Sequence, residues 1–245
     1  MANIIYFIGS IAVGKSSLIE ALSKVYPSLN YCRESVKIWS GEEDYLVSKR
    51  RDFLSAGVAG GQLDFIRLQQ VASLCQFREL LPLVNGSADH QPFVAERDLF
   101  SSVIFTRAAR AQGLLSADID VDLVELTART LLCSNKALLQ PELLVYLYCD
   151  ADTSLHRVRE RARPCEQVVT KEYLQCLLDE HDRWKADNFA PLCPKEIVLL
   201  CSNDATPDQL LSSVQPLIRQ ARYSSLFQLR VCHHPFVIQS CHLKL

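Results

Sequence analysis

The eight residues Gly9-Ser10-Ile11-Ala12-Val13-Gly14-Lys15-Ser16 constrain this chain more than any other stretch. They fit the pattern G-x-x-x-x-G-K-[ST], preceded by an apolar β-rich run, Asn3–Ile8, and followed by an amphipathic pattern, Lys15–Val25. A strand that feeds a helix through two glycines turns backbone N–H groups inward and places the positive end of the helix behind them, a cradle for phosphate. Lys15 would then neutralise the β- and γ-phosphates and Ser16 would ligate Mg²⁺, with Ser17 closing the loop's contacts. A plain glycine turn between strand and helix explains neither Lys15 nor Ser16. The expectation is a site for ATP with Mg²⁺.

The rest of the chain repeats the alternation. Asn30–Arg33, Phe93–Ala95, Leu143–Tyr148 and Ile197–Leu200 are strand candidates. Between them run amphipathic stretches: Leu63–Leu81, Phe100–Gln112, Val121–Leu132, Thr153–Ala162, Lys171–Asn188 and Pro207–Gln220. This order predicts an α/β fold, a five-stranded parallel sheet flanked by helices. Loop signals are local (Asn85–Gln91, Ser202–Pro207), so one domain is expected over residues 1–222, with a tail of unassigned role over 223–245.

Composition narrows the class. Of 245 residues 49% are hydrophobic and 22% charged, with 26 Lys+Arg against 28 Asp+Glu. That excludes a disordered chain and a protein held on nucleic acid by bulk charge. The longest apolar runs are too short to span a bilayer, and the N-terminus lacks a basic leader, so a cytoplasmic protein is expected. The ten cysteines form no C-x-x-C pair and read as buried small hydrophobes in a reducing compartment. Cys232, His233, His234, Cys241 and His242 match no structural zinc spacing. A GTPase is disfavoured: there is no D-x-x-G, and Asn135-Lys136-Ala137-Leu138 lacks the aspartate of a guanine reader.

Three later segments, read in order with the loop, carry a resemblance. Glu34-Ser35-Val36-Lys37-Ile38-Trp39 resembles the E-P-V-x-x-W segment of the deoxynucleoside kinases, and Glu96-Arg97-Asp98 resembles their E-R-S motif. Arg157-Val158-Arg159-Glu160-Arg161-Ala162-Arg163, with Glu166 and Tyr173-Leu174 beyond, resembles their R-x-x-x-R-x-R lid. The family is the cellular deoxynucleoside kinase and herpesvirus-type thymidine kinase group. Ser35 replaces its proline, Asp98 replaces its serine, and the tail has no counterpart.

The resemblance implies a phosphate-binding-loop kinase with an Arg-rich lid, acting on a nucleoside and ATP, with a homodimer left open. It implies Glu34 as base for the sugar 5′-hydroxyl, Arg97 beside that hydroxyl, and Glu166 on the 3′-hydroxyl. Chemistry agrees in part. An acid at the carboxyl end of a parallel strand points into the crevice where such sheets bind ligands. A solvated loop glutamate is the alternative for Glu34, and a structural ion pair the alternative for Arg97 with Glu96. Glu96 would reach Mg²⁺ or its waters. Trp39 packs on substrate or in the core.

Arg157 and Arg161 share a helical face, and Arg163 precedes Pro164 in a loop, as a closing lid over phosphates needs. A solvated basic face is the bland alternative. Leu68-Gln69-Gln70-Val71-Ala72-Ser73-Leu74 resembles the family's base-reading run and nominates Gln69, with Gln62, Gln70 and Gln76 as rivals. The deoxycytidine/purine branch carries an Arg and an Asp where this chain has Gln76 and Ser102, which favours thymidine or a broad pyrimidine range. The rival functions are a thymidylate-type monophosphate kinase and a non-catalytic ATP-binding protein.

Overall fold

The computed structural model describes residues 4–34, 62–86, 92–116, 121–163 and 166–223. Five strands form one sheet: β1 (Ile4–Gly9), β2 (Asn30–Cys32), β3 (Phe93–Glu96), β4 (Pro141–Tyr148) and β5 (Glu196–Cys201). Their order is β2-β3-β1-β4-β5, and every pairing is parallel.

The central strand shows why the fold has three layers. Ile4, Tyr6 and Ile8 of β1 join one apolar cluster, and Ile5 and Phe7 join the other, so both faces are covered. Helices α1 (Lys15–Val25) and α8 (Pro207–Tyr223) cover the second face. The first face is covered by α2 (Gln62–Gly86), α3 (Ser101–Ala111), α4 (Val121–Ser134) and α7 (Lys171–Ala186). The four-residue α5 (Lys136–Leu139) precedes β4, and α6 (Ala151–Arg161) follows it.

The expected α/β alternation is present, with shifted boundaries. α2 continues through Pro82 to Gly86, into the segment expected to be a loop, although Pro82 has no N–H to give the Arg78 carbonyl one turn back. α6 starts two residues early, since the Asp150 carboxylate accepts from Thr153 N at 2.7 Å and caps the helix. α5 is too short to register as a periodic pattern. The cysteine expectation needs correction: Cys32, Cys75 and Cys149 are buried, but Cys133, Cys193 and Cys201 are exposed. The last two flank β5 at its ends, where the sheet meets solvent. No helix among the described residues is long and apolar enough to cross a membrane. Trp39 and the Cys/His tail lie outside the described residues.

Candidate active site

The phosphate-binding loop leaves the carboxyl end of β1. Gly9 has φ +140°, and a Cβ there would stand 2.0 Å from the Leu147 carbonyl oxygen of β4. Gly14 opens α1 at φ +96°, in the left-handed region. Inside the loop the buried Lys15 Nζ donates to Gly9 O at 3.0 Å and Ser10 O at 2.6 Å. Burial, reinforced by the Arg97 charge, pushes this ammonium down to about 7, while Glu34 and Glu96 pull it back. The Ser10 hydroxyl is buried without a partner among the described residues. Ser16 Oγ donates to Glu96 Oε1 at 2.5 Å across 80 residues of sequence.

The Glu96-Arg97-Asp98 turn is built at the end of β3. Arg97 adopts φ +66°, its N–H donates to Phe7 O at 2.9 Å, and its guanidinium lies 4.2 Å from the Phe105 ring centre. Its Nε forms an ion pair with Glu34 Oε1, out of line for a hydrogen bond. Glu34 and Arg97 are thereby joined, although the sequence placed them 63 residues apart. Asp98 caps α3: it accepts from Phe100 N at 2.5 Å, Ser101 N at 3.2 Å and Ser101 Oγ at 2.7 Å. Burial raises its carboxyl to about 6 against those bonds. Gln76 Nε2 secures the same turn from α2, donating to Glu96 O at 3.2 Å and Arg97 O at 3.3 Å.

The lid arginines divide. Arg157 Nη2 donates to Ser202 O at 2.5 Å and Asn203 O at 3.0 Å, so the turn after β5 holds this arginine at the cavity wall. Ser154 Oγ donates to Ile11 O at 2.6 Å, tying α6 to the phosphate loop. Arg161 grips Glu166 with two bonds of 2.6 Å, and Arg163 approaches the same carboxylate at 3.4 Å. No sequence signal points to Arg157's partners, which lie 45 and 46 residues away.

One cavity of about 650 Å³ joins these parts. Lys15, Ser16, Glu34, Glu96 and Arg97 line it, as do Arg157, Arg161, Arg163 and Glu166, and Phe65, Gln69, Gln76, Ser102, Phe105 and Tyr173. Among the glutamine rivals, Gln62 is engaged by Ser116 and Gln76 by the turn. Gln69 is buried, lines the cavity and has no hydrogen-bond partner among the described residues. Phe65, Phe105 and Tyr173 were not singled out from the sequence as site residues, because helical aromatics look alike whether they face a core or a cavity.

The donors present suit a metal–nucleotide complex. Ser16 and Glu96 offer the adjacent hydroxyl and carboxylate oxygens that Mg²⁺ takes, and when bound the ion supplies charge neutralisation at the phosphates. Among the described residues Lys15 Nζ bonds only to the loop carbonyls, partners that an anionic oxygen could replace.

Residues 5–215 match the family model for deoxynucleoside kinases. A deoxyadenosine kinase from Dictyostelium discoideum is 24% identical over 217 residues, 88% of this chain and 79% of that protein. The deoxyadenosine kinase of M. mycoides with bound dATP superposes with a TM-score of 0.61 at 12% identity, over 88% of this chain and 98% of that one. The same enzyme with the products dCMP and a flexible dCDP bound gives 0.62 at 12% identity, over 89% and 99%.

Proposed function

This chain belongs to the deoxynucleoside kinase family, and from that premise we propose that it transfers the γ-phosphoryl group of ATP to the 5′-hydroxyl of a pyrimidine deoxynucleoside, thymidine among them. The observation that carries the reading is the gathering of Lys15, Ser16, Glu34, Glu96 and Arg97 at one part of a cavity that also contains the unpaired Gln69 amide.

The chemistry divides among these residues. Loop N–H groups from Gly9 to Ser17 and the Lys15 ammonium hold the β- and γ-phosphates. Glu34 accepts the proton of the 5′-hydroxyl as its oxygen bonds to the γ-phosphorus and the bond from that phosphorus to the β,γ-bridging oxygen breaks. Arg97, laid on Phe105 and paired with Glu34, orients the carboxylate and offers its remaining N–H groups to the transferring group. Arg161 and Arg163 exchange Glu166 for phosphate oxygens, which frees that carboxylate for the sugar 3′-hydroxyl.

Gln69 pairs with the base through one donor and one acceptor, a pattern that thymine and cytosine can each meet. Neutral Gln76 and Ser102 support the pyrimidine range over a purine one. A monophosphate acceptor would need a cationic pocket, and the acid Glu34 stands at that position instead.

Phosphate transfer from ATP to a panel of thymidine, deoxycytidine, deoxyadenosine and thymidine monophosphate tests the reading. Turnover of a deoxynucleoside is expected. Turnover of the monophosphate alone, or of none, would overturn it.

A further inference from the structure

Arg159 is the arginine of α6 that does not line the cavity, where Arg157 and Arg161 do. It has no carboxylate partner among the described residues and directs its donors at main chain. Nη1 donates to Gln167 O at 2.7 Å and Nη2 to Val169 O at 3.2 Å. A guanidinium whose two nitrogens take two carbonyls fixes a backbone segment in direction as well as distance. That segment carries part of the cavity wall: Glu166, Val168 and Val169 line it, and Val169 N donates back to Glu166 O at 3.0 Å. The helix is itself anchored, since Ser154 Oγ donates to Ile11 O of the phosphate loop at 2.6 Å. Contacts therefore run from the loop through Ser154, along α6 to Arg159, and on to the turn that bears Glu166.

We propose that Arg159 is a positioning residue: it holds the Glu166 turn in place for the nucleoside 3′-hydroxyl once Arg161 and Arg163 have turned to phosphate. The inference rests on the deoxynucleoside reading above, in which Glu166 meets that hydroxyl. In the free protein the Glu166 carboxylate is gripped by two Arg161 bonds of 2.6 Å and approached by Arg163 at 3.4 Å. ATP phosphates that draw those two arginines away remove the side-chain grip. A carboxylate freed on an unanchored turn would then lose its aim, and misplacement by about an ångström is costly. Arg159 stands outside the cavity, so its two bonds to carbonyl oxygens persist while the ion pairs exchange. The contact so preserved is a strong one, because a hydroxyl that donates to a carboxylate makes a charge-assisted bond.

The test measures calorimetric binding of thymidine and deoxycytidine, each beside its 3′-deoxy form, to the full chain and to Arg159→Met. Titrations run with and without Mg²⁺ and a non-hydrolysable ATP analogue, and phosphate transfer from ATP is assayed alongside. With the analogue, the full chain should bind a deoxynucleoside about tenfold more tightly than its 3′-deoxy form, and Arg159→Met should bring the two within about threefold. Without the analogue Arg161 still holds Glu166, so the substitution should change deoxynucleoside binding by less than about twofold. A merely structural Arg159 would weaken both forms alike, whether the analogue is present or not. That result overturns the proposal. Equal binding of the two forms by the full chain overturns it too, whether or not the variant folds. Phosphate transfer to a deoxynucleoside, with the 3′-hydroxyl preference intact in Arg159→Met, removes this inference and leaves the kinase reading standing. A preference lost in Arg159→Met, with no transfer by the full chain, supports Arg159 as the positioning residue while removing the kinase reading.

Discussion

The two ends of the cavity are built by different means. At the end proposed for phosphate the groups are backbone and charge, and the loop from Gly9 to Ser16 is one unbroken stretch of sequence. At the end proposed for the base they are neutral amides and rings from separate elements: Gln69, Gln76 and Phe65 on α2, and Phe105 on α3. Charge acts on any phosphate, whereas an amide acts only through the direction of its donor and acceptor. The phosphate end should therefore govern rate and the base end choice, and substitutions at the two ends should fail differently.

The largest break belongs to Lys15→Ala. Removing the loop's cation should cut kcat by roughly three orders of magnitude or more, because charge stabilisation at the transferring phosphoryl group dominates such catalysis. The melting temperature should hold near its original value, since the loop's shape rests on glycine backbone. Turnover close to that of the unaltered chain would remove the loop from catalysis.

Next comes Glu34→Gln, which keeps size and reach but removes the proton acceptor. We expect kcat to fall by about 10²–10⁴-fold with both KM values nearly unchanged. An unaltered kcat would leave the Glu34–Arg97 pair a structural contact only.

At the opposite end, Gln69→Ala should raise the nucleoside KM by about tenfold to a hundredfold, the equivalent of roughly 1–3 kcal/mol, while the KM for ATP stays within about twofold. Equal rises in both would mean that the two ends are not separable.

The smallest effect sharpens the contrast most. With Lys15 at about 7 in the free protein, the side chain is mostly neutral at pH 8. Phosphate oxygens beside it favour the charged form and raise that value, so ATP binding at pH 8 should take up about one proton more than in Lys15→Met. At pH 6 the lysine is charged in both states and the difference should approach zero. Nucleoside binding at the far end should show no Lys15-dependent uptake. Calorimetry in buffers of differing ionisation enthalpy reads all three.

What could be read beforehand follows the same division. The strands, the helices and the loop with Lys15 and Ser16 were legible because a period of two or 3.6, or a glycine spacing, is written locally. Arg97 and Gln69 are legible only through the family resemblance, and Glu34 through it and its place after a strand, since no local rule says that Glu34 meets Arg97. The rest depends on partners far away in sequence. Arg157 reads as one of a run of lid arginines, and nothing in that run says that the Ser202 and Asn203 carbonyls hold it. Asp98 looks like a mismatch with the family serine until its carboxylate is seen capping α3. Gln76 looks like a missing charge until its amide is seen holding the Glu96 and Arg97 carbonyls.

The loop's two glycines are kept under separate rules of selection, although the motif writes them with one letter. Gly14 has open space where a Cβ would go, the nearest atom being Leu210 Cδ1 at 4.0 Å, so handedness alone excludes other residues. Handedness is a graded filter, and asparagine or aspartate passes it at modest cost. Gly9 meets the main chain of β4, and a carbonyl oxygen 2.0 Å away cannot rotate aside as a side chain would. That filter is absolute: even alanine requires two central strands to part. Lineages of this chain can thus drift at Gly14 through a narrow set of polar residues, while Gly9 stays fixed for as long as β1 and β4 remain neighbours.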